Sequence, residues 1–374
     1  MNRYAWGIKN QTTNVTWTSS VLSFNFTNGR QSYLDNYNAG ALTFTIKNQA
    51  NESAGFSFGD EIRILNPSSI SLLSFYVVLV SYNDYPGNTG LSTATITCQD
   101  AYGLMGRLQM NNFSIAADRS AAQWAQTNTV PGKIAGRPSM STFGFGQSFC
   151  SAGTYSGSVL NLWNLLVNTE RGVIALYQNG ARFVSRDSIT IFGTNPDTFS
   201  QNPTSSSVGY EDIKRINLGL DLMNQVQTQP AGLAVQQGTN AASVASVGAQ
   251  GFTVSSLDST TTQALGLADW LANTLSDSNS QRFEVTFTDL AQNASLNFER
   301  FMSFMTQRLP TSLTYRVPGA VSDTTVLVIP EGYNLSATPS ETTITAYLSP
   351  LTYYQFFTLN STTLGILNTS RLGW

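Results

Sequence analysis

VLSFNFTNGRQSYLDNYNAGALTFTIKNQANESAGFSFGDEIRIL, residues 21–65, decides how this chain folds. Leu22, Phe24 and Phe26 alternate with smaller or polar residues, as do Leu42, Phe44 and Ile46, and then Ile62 and Ile64. A period of two marks strands that bury one face and expose the other. Asn28-Gly29 and Asn38-Ala39-Gly40 supply the positive φ that tight connections require. The stretch predicts two or three short strands joined by turns.

The flanking sequence extends this pattern. LLSFYVVLVSYNDY (72–85) leads through a Pro86-Gly87-Asn88 turn to an alternating Thr95-Ile96-Thr97-Cys98 strand, a hairpin that closes a small barrel or sandwich. Residues 1–110 therefore read as an N-terminal β-barrel-like domain. Residues 111–157 read as a Gly-rich connection, with RSAAQWAQ forming one or two helical turns and 131–157 a loop studded with Gly and Pro. Residues 158–279 read as a mixed helix and hairpin domain. Its first helix, 158–169, carries Leu162, Leu165 and Leu166 on one face, with Ser156 or Ser158 as its cap. The hairpin VIALY–Gln178-Asn179-Gly180–ARFVSRD follows. Alternation returns at Leu218, Leu220 and Leu222. A second helix within 256–276 starts from Ser256 or Ser259 and repeats Ala264, Leu267, Ala268, Leu271 and Leu275 at three- and four-residue spacing.

Residues 280–374 read as a C-terminal β-barrel-like domain. RFEVTFT places Phe283, Val285 and Phe287 on one side, and a helical stripe of Phe298, Phe301, Met302 and Met305 precedes the last strands. PEGYNLSATPSETTITAYLSPLT here echoes SYNDYPGNTGLSTATITCQDAYG of the first domain: a Tyr-bearing strand end, a turn, then Thr-Ile-Thr and an aromatic. The echo predicts an internal duplication. The fold class is mainly β with a few helices, two small barrel-like domains joined by a mixed insertion.

Composition narrows the function. Charged residues make up 11% of the 374, against about 25% in ordinary soluble proteins, so the surface is rich in amides and hydroxyls instead. Such a surface suits a chain packed in an assembly. With a net charge of −3 and four scattered lysines (Lys9, Lys47, Lys133, Lys214), there is no electrostatic footprint for nucleic acid. Histidine is absent, which removes the commonest general base and metal ligand. Cys98 and Cys150 are too few for a disulfide framework or a zinc site, and read as small buried apolar residues, with a mutual disulfide as the alternative. No apolar run approaches the roughly 20 residues of a membrane span. The opening MNRYAWGIKNQ lacks a secretory apolar core, which predicts folding in the cytoplasm where the chain is made. Asn14, Asn25 and Asn334 head Asn-x-Ser/Thr triplets, expected by chance in a chain this rich in those residues.

No catalytic, cofactor or metal site emerges. Asp60-Glu61 and Glu211-Asp212 are the adjacent carboxylate pairs, but neighbours on a strand point to opposite faces and do not converge on a glycoside. Gly144-Phe145-Gly146-Gln147-Ser148-Phe149 lacks the third glycine of a dinucleotide fingerprint. Gly146–Cys150 misses the last glycine of a nucleophile elbow and has no His to serve it. Trp163 and Trp270 read as core. Tyr353, Tyr354, Phe356 and Phe357 read either as strand residues serving two buried faces or as an anchor between subunits.

Gly29, Arg30, Tyr33, Asp35, Ala39, Gly40 and Asn48, followed by Phe58, Gly59, Asp60 and Ile62, resemble the opening of tail hub and minor tail proteins of long-tailed bacteriophages. The resemblance continues through Glu170-Arg171-Gly172, Asn179-Gly180 and Phe183…Arg186, through Asn224 and Val226, through SVASVGAQGFTVSSL and ALGLADWLANTL, and into the closing TTITAYLSPLTYYQFFTLNSTTLGILNTSRLGW. It touches about two thirds of the chain and departs from the usual aromatic-Gly at Val247-Gly248. Each motif is degenerate; their order carries the likeness. The resemblance implies a structural, non-enzymatic virion protein, forming a ring at the distal end of the tail. Two tube-like barrels per chain in a homotrimer would match a hexameric tube. Its partners would be further copies of itself, a distal tail or tail-tube protein, and a tip or fibre protein. A hexameric distal tail protein and a carbohydrate-binding receptor module of the tail tip are the alternatives.

Overall fold

The computed structural model describes residues 6–354, apart from residue 19 and residues 49–53, 66–70, 132–137, 178–179, 192–196, 203–206, 218–221, 278–280, 289–294 and 339. Its first strands are β1 (Gly7–Asn10), β2 (Val15–Trp17), β3 (Val21–Gly29), β4 (Ala41–Lys47), β5 (Glu61–Leu65), β6 (Ser71–Asn83) and β7 (Thr93–Gln99). They lie in the order β2-β1-β5-β6-β7-β4-β3, every neighbour antiparallel. Phe24 and Phe26 of β3 are buried while Asn25 and Thr27 are exposed, and β4 buries Leu42, Phe44 and Ile46 in the same rhythm. The alternation read from residues 21–65 therefore fixes which face meets the core.

The middle of the chain holds α1 (Ala101–Arg107), β8 (Gln109–Ile115), β9 (Asp118–Arg119), α2 (Ser120–Gln126), β10 (Ser139–Phe143), β11 (Phe149–Cys150), β12 (Gly153–Ser158), α3 (Val159–Glu170), β13 (Val173–Tyr177), β14 (Gly180–Val184) and α4 (Arg186–Ile191). The stretch 131–157, expected as a loop, contributes three short strands. β10 adds in parallel to the hairpin strand β14, and β12 pairs with β8. Their small polar residues (SMSTF, GTYSGS) give no apolar alternation, so long-range pairing supplies what local sequence does not signal. Ser158 caps α3, its Oγ accepting from Asn161 N at 3.2 Å. Trp163 packs on Trp124 of α2 at 5.1 Å between ring centroids and donates its Nε1–H to Thr127 at 2.9 Å.

The remaining elements are β15 (Thr198–Ser200), β16 (Ser207–Gly209), β17 (Asp212–Asn217), β18 (Gln225–Pro230), β19 (Gln236–Thr239), α5 (Ala241–Val247), β20 (Gly251–Ser256), α6 (Thr261–Thr274), β21 (Gln281–Thr288), α7 (Ser295–Gln307), β22 (Thr311–Tyr315), β23 (Thr324–Ala337) and β24 (Thr342–Pro350). The cap of α6 is Thr260, which accepts from Gln263 N, and not Ser256 or Ser259; Ser256 is held in β20. Leu218 and Leu220 lie outside the described residues, as does the side chain of Phe298; Phe301, Met302 and Met305 are buried.

Seven of these later strands repeat the first seven. Their order is β16-β15-β22-β23-β24-β21-β17, position for position the order of β2-β1-β5-β6-β7-β4-β3. The chain visits each set in the same sequence, and the five strands from β17 to β22 are antiparallel as in the first set. Only β15 departs, running parallel to its neighbours where β1 runs antiparallel. The Thr-Ile-Thr echo marks the same place in both: Ile96 sits between Phe44 and Val80, and Ile344 between Phe287 and Leu335. The second unit is not contiguous in sequence. β17 pairs with β21 across β18–β20, α5 and α6, which occupy the connection equivalent to residues 30–40 of the first unit.

The two units join edge to edge. β3 pairs antiparallel with the last part of β23, Phe26 opposite Leu335 and Gly29 opposite Gly332, making one sheet of 14 strands. Among the described residues no ring of strands closes, and the two barrel-like units are fused through this junction. The architecture is mainly β with a few helices, as expected, seven of them α-helices among the described residues.

Candidate assembly interface

The junction of β3 with β23 shows how two such units meet. A Cβ on Gly332 would lie 2.5 Å from the carbonyl oxygens of Asn28 and Arg30, so only glycine permits this approach. Opposite it, Gly29 holds φ at +84°, the left-handed region. Aromatic rings run through the joint: Phe24 against Phe26, Phe26 against Tyr333 at 5.4 Å, Tyr333 against Phe301 at 5.8 Å.

A bulge between Pro330 and Gly332 leaves Glu331 out of the β24 ladder. Its carboxylate, fully buried, accepts from Arg30 Nε at 2.7 Å and from the Tyr354 hydroxyl, which itself accepts from Arg30 Nη2 at 3.1 Å. The Arg30 guanidinium lies 4.8 Å from the Tyr37 ring. Burial alone pulls Arg30 down, but the facing Glu331 holds its pKa well above the usual value. Burial, with Glu331 beside it, pushes the Tyr354 phenol up. Tyr353 and Tyr354 are thus packed within the chain, which overturns the anchor reading for these two; Phe356 and Phe357 lie outside the described residues.

A second set of contacts fastens α3 and β13 to the 30–40 connection. Asn164 of α3 accepts from Tyr37 N at 2.8 Å and donates to Tyr37 O at 3.0 Å, while the Tyr37 hydroxyl accepts from Ile174 N at 3.1 Å. Asp100 caps α1, accepting from Gly103 N and from Gly40 N and the Asn28 amide. Burial nevertheless raises its pKa to about 7, the hydrogen bonds only partly offsetting the loss of water. Asp258 is raised by burial to about 6.

The residues weighed for chemistry from sequence do not converge. Asp60 is buried, accepting from Asn10 Nδ2 and Ser57 N, while Glu61 engages Arg63 and Ser74. Glu211 accepts from Thr288, and Asp212 is exposed in β17. The Gly144–Phe149 loop does form a cluster of inward N–H groups, but the chain fills it with its own carboxylate. Glu170 accepts from Gln147 N at 3.0 Å, Ser148 N at 2.9 Å and Ser120 Oγ at 2.8 Å. Cys98 and Cys150 are free and fully buried. No group of three or more metal-ligating side chains exists among the described residues. Sequence reasoning missed Glu331. Its signal was a lone acid inside the run VLVIPEGY, where a strand interior should be apolar.

Several strands keep an open edge among the described residues, β2 and β16 at the ends of the large sheet and also β6 and β17. β6 pairs with β5 only as far as Tyr76, and beyond it Val78–Asn83 meets β7 on one side and no strand on the other. Leu79 is 59% and Tyr82 44% exposed there. β17 pairs with β21 alone.

The fold is that of phage tail proteins. A tail protein from Neisseria meningitidis superposes with a TM-score of 0.61 at 10% identity, covering 92% of this chain and 96% of its own. The 43 kDa tail protein of prophage MuSo2 from Shewanella oneidensis gives 0.59 at 10% identity, covering 94% and 98%. An Escherichia coli component of the type VI secretion system, described as similar to the bacteriophage T4 tail proteins gp27 and gp5, gives 0.52 at 9% identity over 88% and 73%. No family model matches the chain, and no curated protein matches it in sequence.

Proposed function

We propose that this chain is a structural component of a tailed-phage virion, the hub at the distal end of the tail, which adapts the tube to the tip or fibre. The observation that carries this reading is the repeated seven-strand order within one chain, on a fold shared with phage tail proteins. A closed ring built from two related units per chain offers twice as many similar docking surfaces as it has subunits. Three copies would therefore present six positions to a hexameric tube and threefold symmetry below. The chain acts by assembly and not by catalysis: its adjacent carboxylates diverge, and the inward N–H groups of the Gly144–Phe149 loop are taken by Glu170.

Imaging of intact virions, with copies counted at the tail tip, tests this. Three copies are expected. Six would favour a distal-tail ring, and a single monomeric copy would overturn the assembly reading. Turnover of peptidoglycan or host polysaccharide by pure protein, abolished by one carboxylate substitution, would overturn the structural role.

A further inference from the structure

The junction inside the chain predicts the junction between chains. In the first unit β3 offers its outer edge to β23 of the second. By the equivalence of strand orders, β17 is the second unit's β3, and β6 is the first unit's β23. Both of these edges are open among the described residues. We infer that β17 of one copy pairs antiparallel with residues 78–83 of β6 in the next, continuing the sheet from chain to chain. This rests on the ring reading above and names its contact.

The register follows from the internal one. Ile96 and Ile344 align the two units, which makes Val80 the counterpart of Leu335, Ser81 of Ser336, and Tyr82 of Ala337. On the other side Ile213 opposes Val285 as Phe26 opposes Leu42. Since Phe26 faces Leu335, Val80 faces Ile213 of the neighbour. Ser81 then faces Asp212, and Leu79 faces Lys214. The chemistry agrees with a second copy as occupant. Residues 78–83 carry no charge and expose Leu79 and Tyr82, lacking the Lys or Pro by which free edges are protected from pairing. Each copy offers one edge of each kind, so the contact is head to tail and closes into a ring or runs on as a filament.

Disulfide trapping tests the register, and the two native cysteines are buried and do not interfere. Opposed residues of an antiparallel pair have Cα atoms about 4.5–5.5 Å apart, within the range of roughly 4.4–6.8 Å that a disulfide spans. Equimolar Ser81→Cys and Asp212→Cys proteins, mixed and oxidised, are expected to give a cross-linked dimer as the main product. The pair Asn83→Cys and Lys214→Cys, four residues out of register and about 13 Å apart, is expected to give at least tenfold less. In parallel, Leu79→Lys sets two ammonium groups opposite each other and is expected to leave a folded monomer in place of the assembly. Native mass spectrometry separates the two ideas. Assembled wild type with no Ser81–Asp212 linkage, or with equal linkage of the out-of-register pair, overturns the edge pairing while the ring stands. Wild type that stays monomeric at about 100 μM overturns both.

Discussion

Replacing Glu331 by Leu removes the acid that neutralises Arg30 at the centre of the β3–β23 junction. Both side chains are essentially without solvent contact, and Arg30 Nε sits 2.7 Å from the carboxylate. Leucine preserves the volume but takes from the guanidinium the carboxylate bonded to it and from the Tyr354 hydroxyl its acceptor. Breaking a buried pair from one side costs about 3–5 kcal/mol, whereas replacing both partners by apolar groups is often near neutral. Against a total stability of about 5–15 kcal/mol, the single variant loses about a fifth or more. The Glu331→Leu, Arg30→Met double variant should recover most of that loss and end within about 2 kcal/mol of wild type. Equilibrium urea unfolding, followed by tryptophan fluorescence on all four proteins, gives the cycle. A single variant losing less than about 1 kcal/mol, or a double variant as unstable as the sum of the singles, refutes the reasoning.

Gly332→Ala should cost about 1–3 kcal/mol, because its Cβ meets backbone oxygens at 2.5 Å and the strands must part; Gly87→Ala, with open space around it and no left-handed φ, serves as the comparison for a glycine on a loop. Asp100 and Asp258 have folded pKa values of about 7 and about 6, raised above their unfolded values near 4. Folding therefore takes up protons, and their contribution is fully present below about pH 4 and lost as pH rises to 7. The urea midpoint should carry a declining component across that window, and Asp258→Asn should flatten its lower part. Burial pushes both thiols up, so Cys98 and Cys150 should resist an aromatic disulfide reagent in the native protein and react at once in denaturant.

What the sequence revealed follows the range of the interactions. Phe24, Phe26, Leu42 and Phe44 alternate locally, and the strands fall where they do. Leu162 and Leu166 repeat at helical spacing behind Ser158, and α3 runs over Val159–Glu170. The Thr-Ile-Thr echo led to the repeated strand order because it lies at the same register in both units. Local reasoning failed where partners are distant. β17 finds β21 only across an intervening subdomain, and β10 is a strand only because β14 lies alongside. The choice of Thr260 over Ser256 or Ser259 as the cap depends on how far β20 extends, which the hydroxyl residues themselves do not encode.

The pairing of β3 with β23 also sets a timetable for the nascent chain. Arg30 and Glu331 are separated by 301 residues, and a ribosome adding about 5–20 residues per second needs roughly 15–60 s to deliver the second after the first. Through that interval β3 has β4 on one side and a bare edge on the other, with Phe24 and Phe26 in the strand. Neighbouring ribosomes on one message hold identical bare edges close together. A chain from one can seat its finished β23 on the β3 of another, exchanging halves between molecules instead of closing on itself. The long separation of the two halves of the junction thus makes exchange between copies a competitor of closure within one chain.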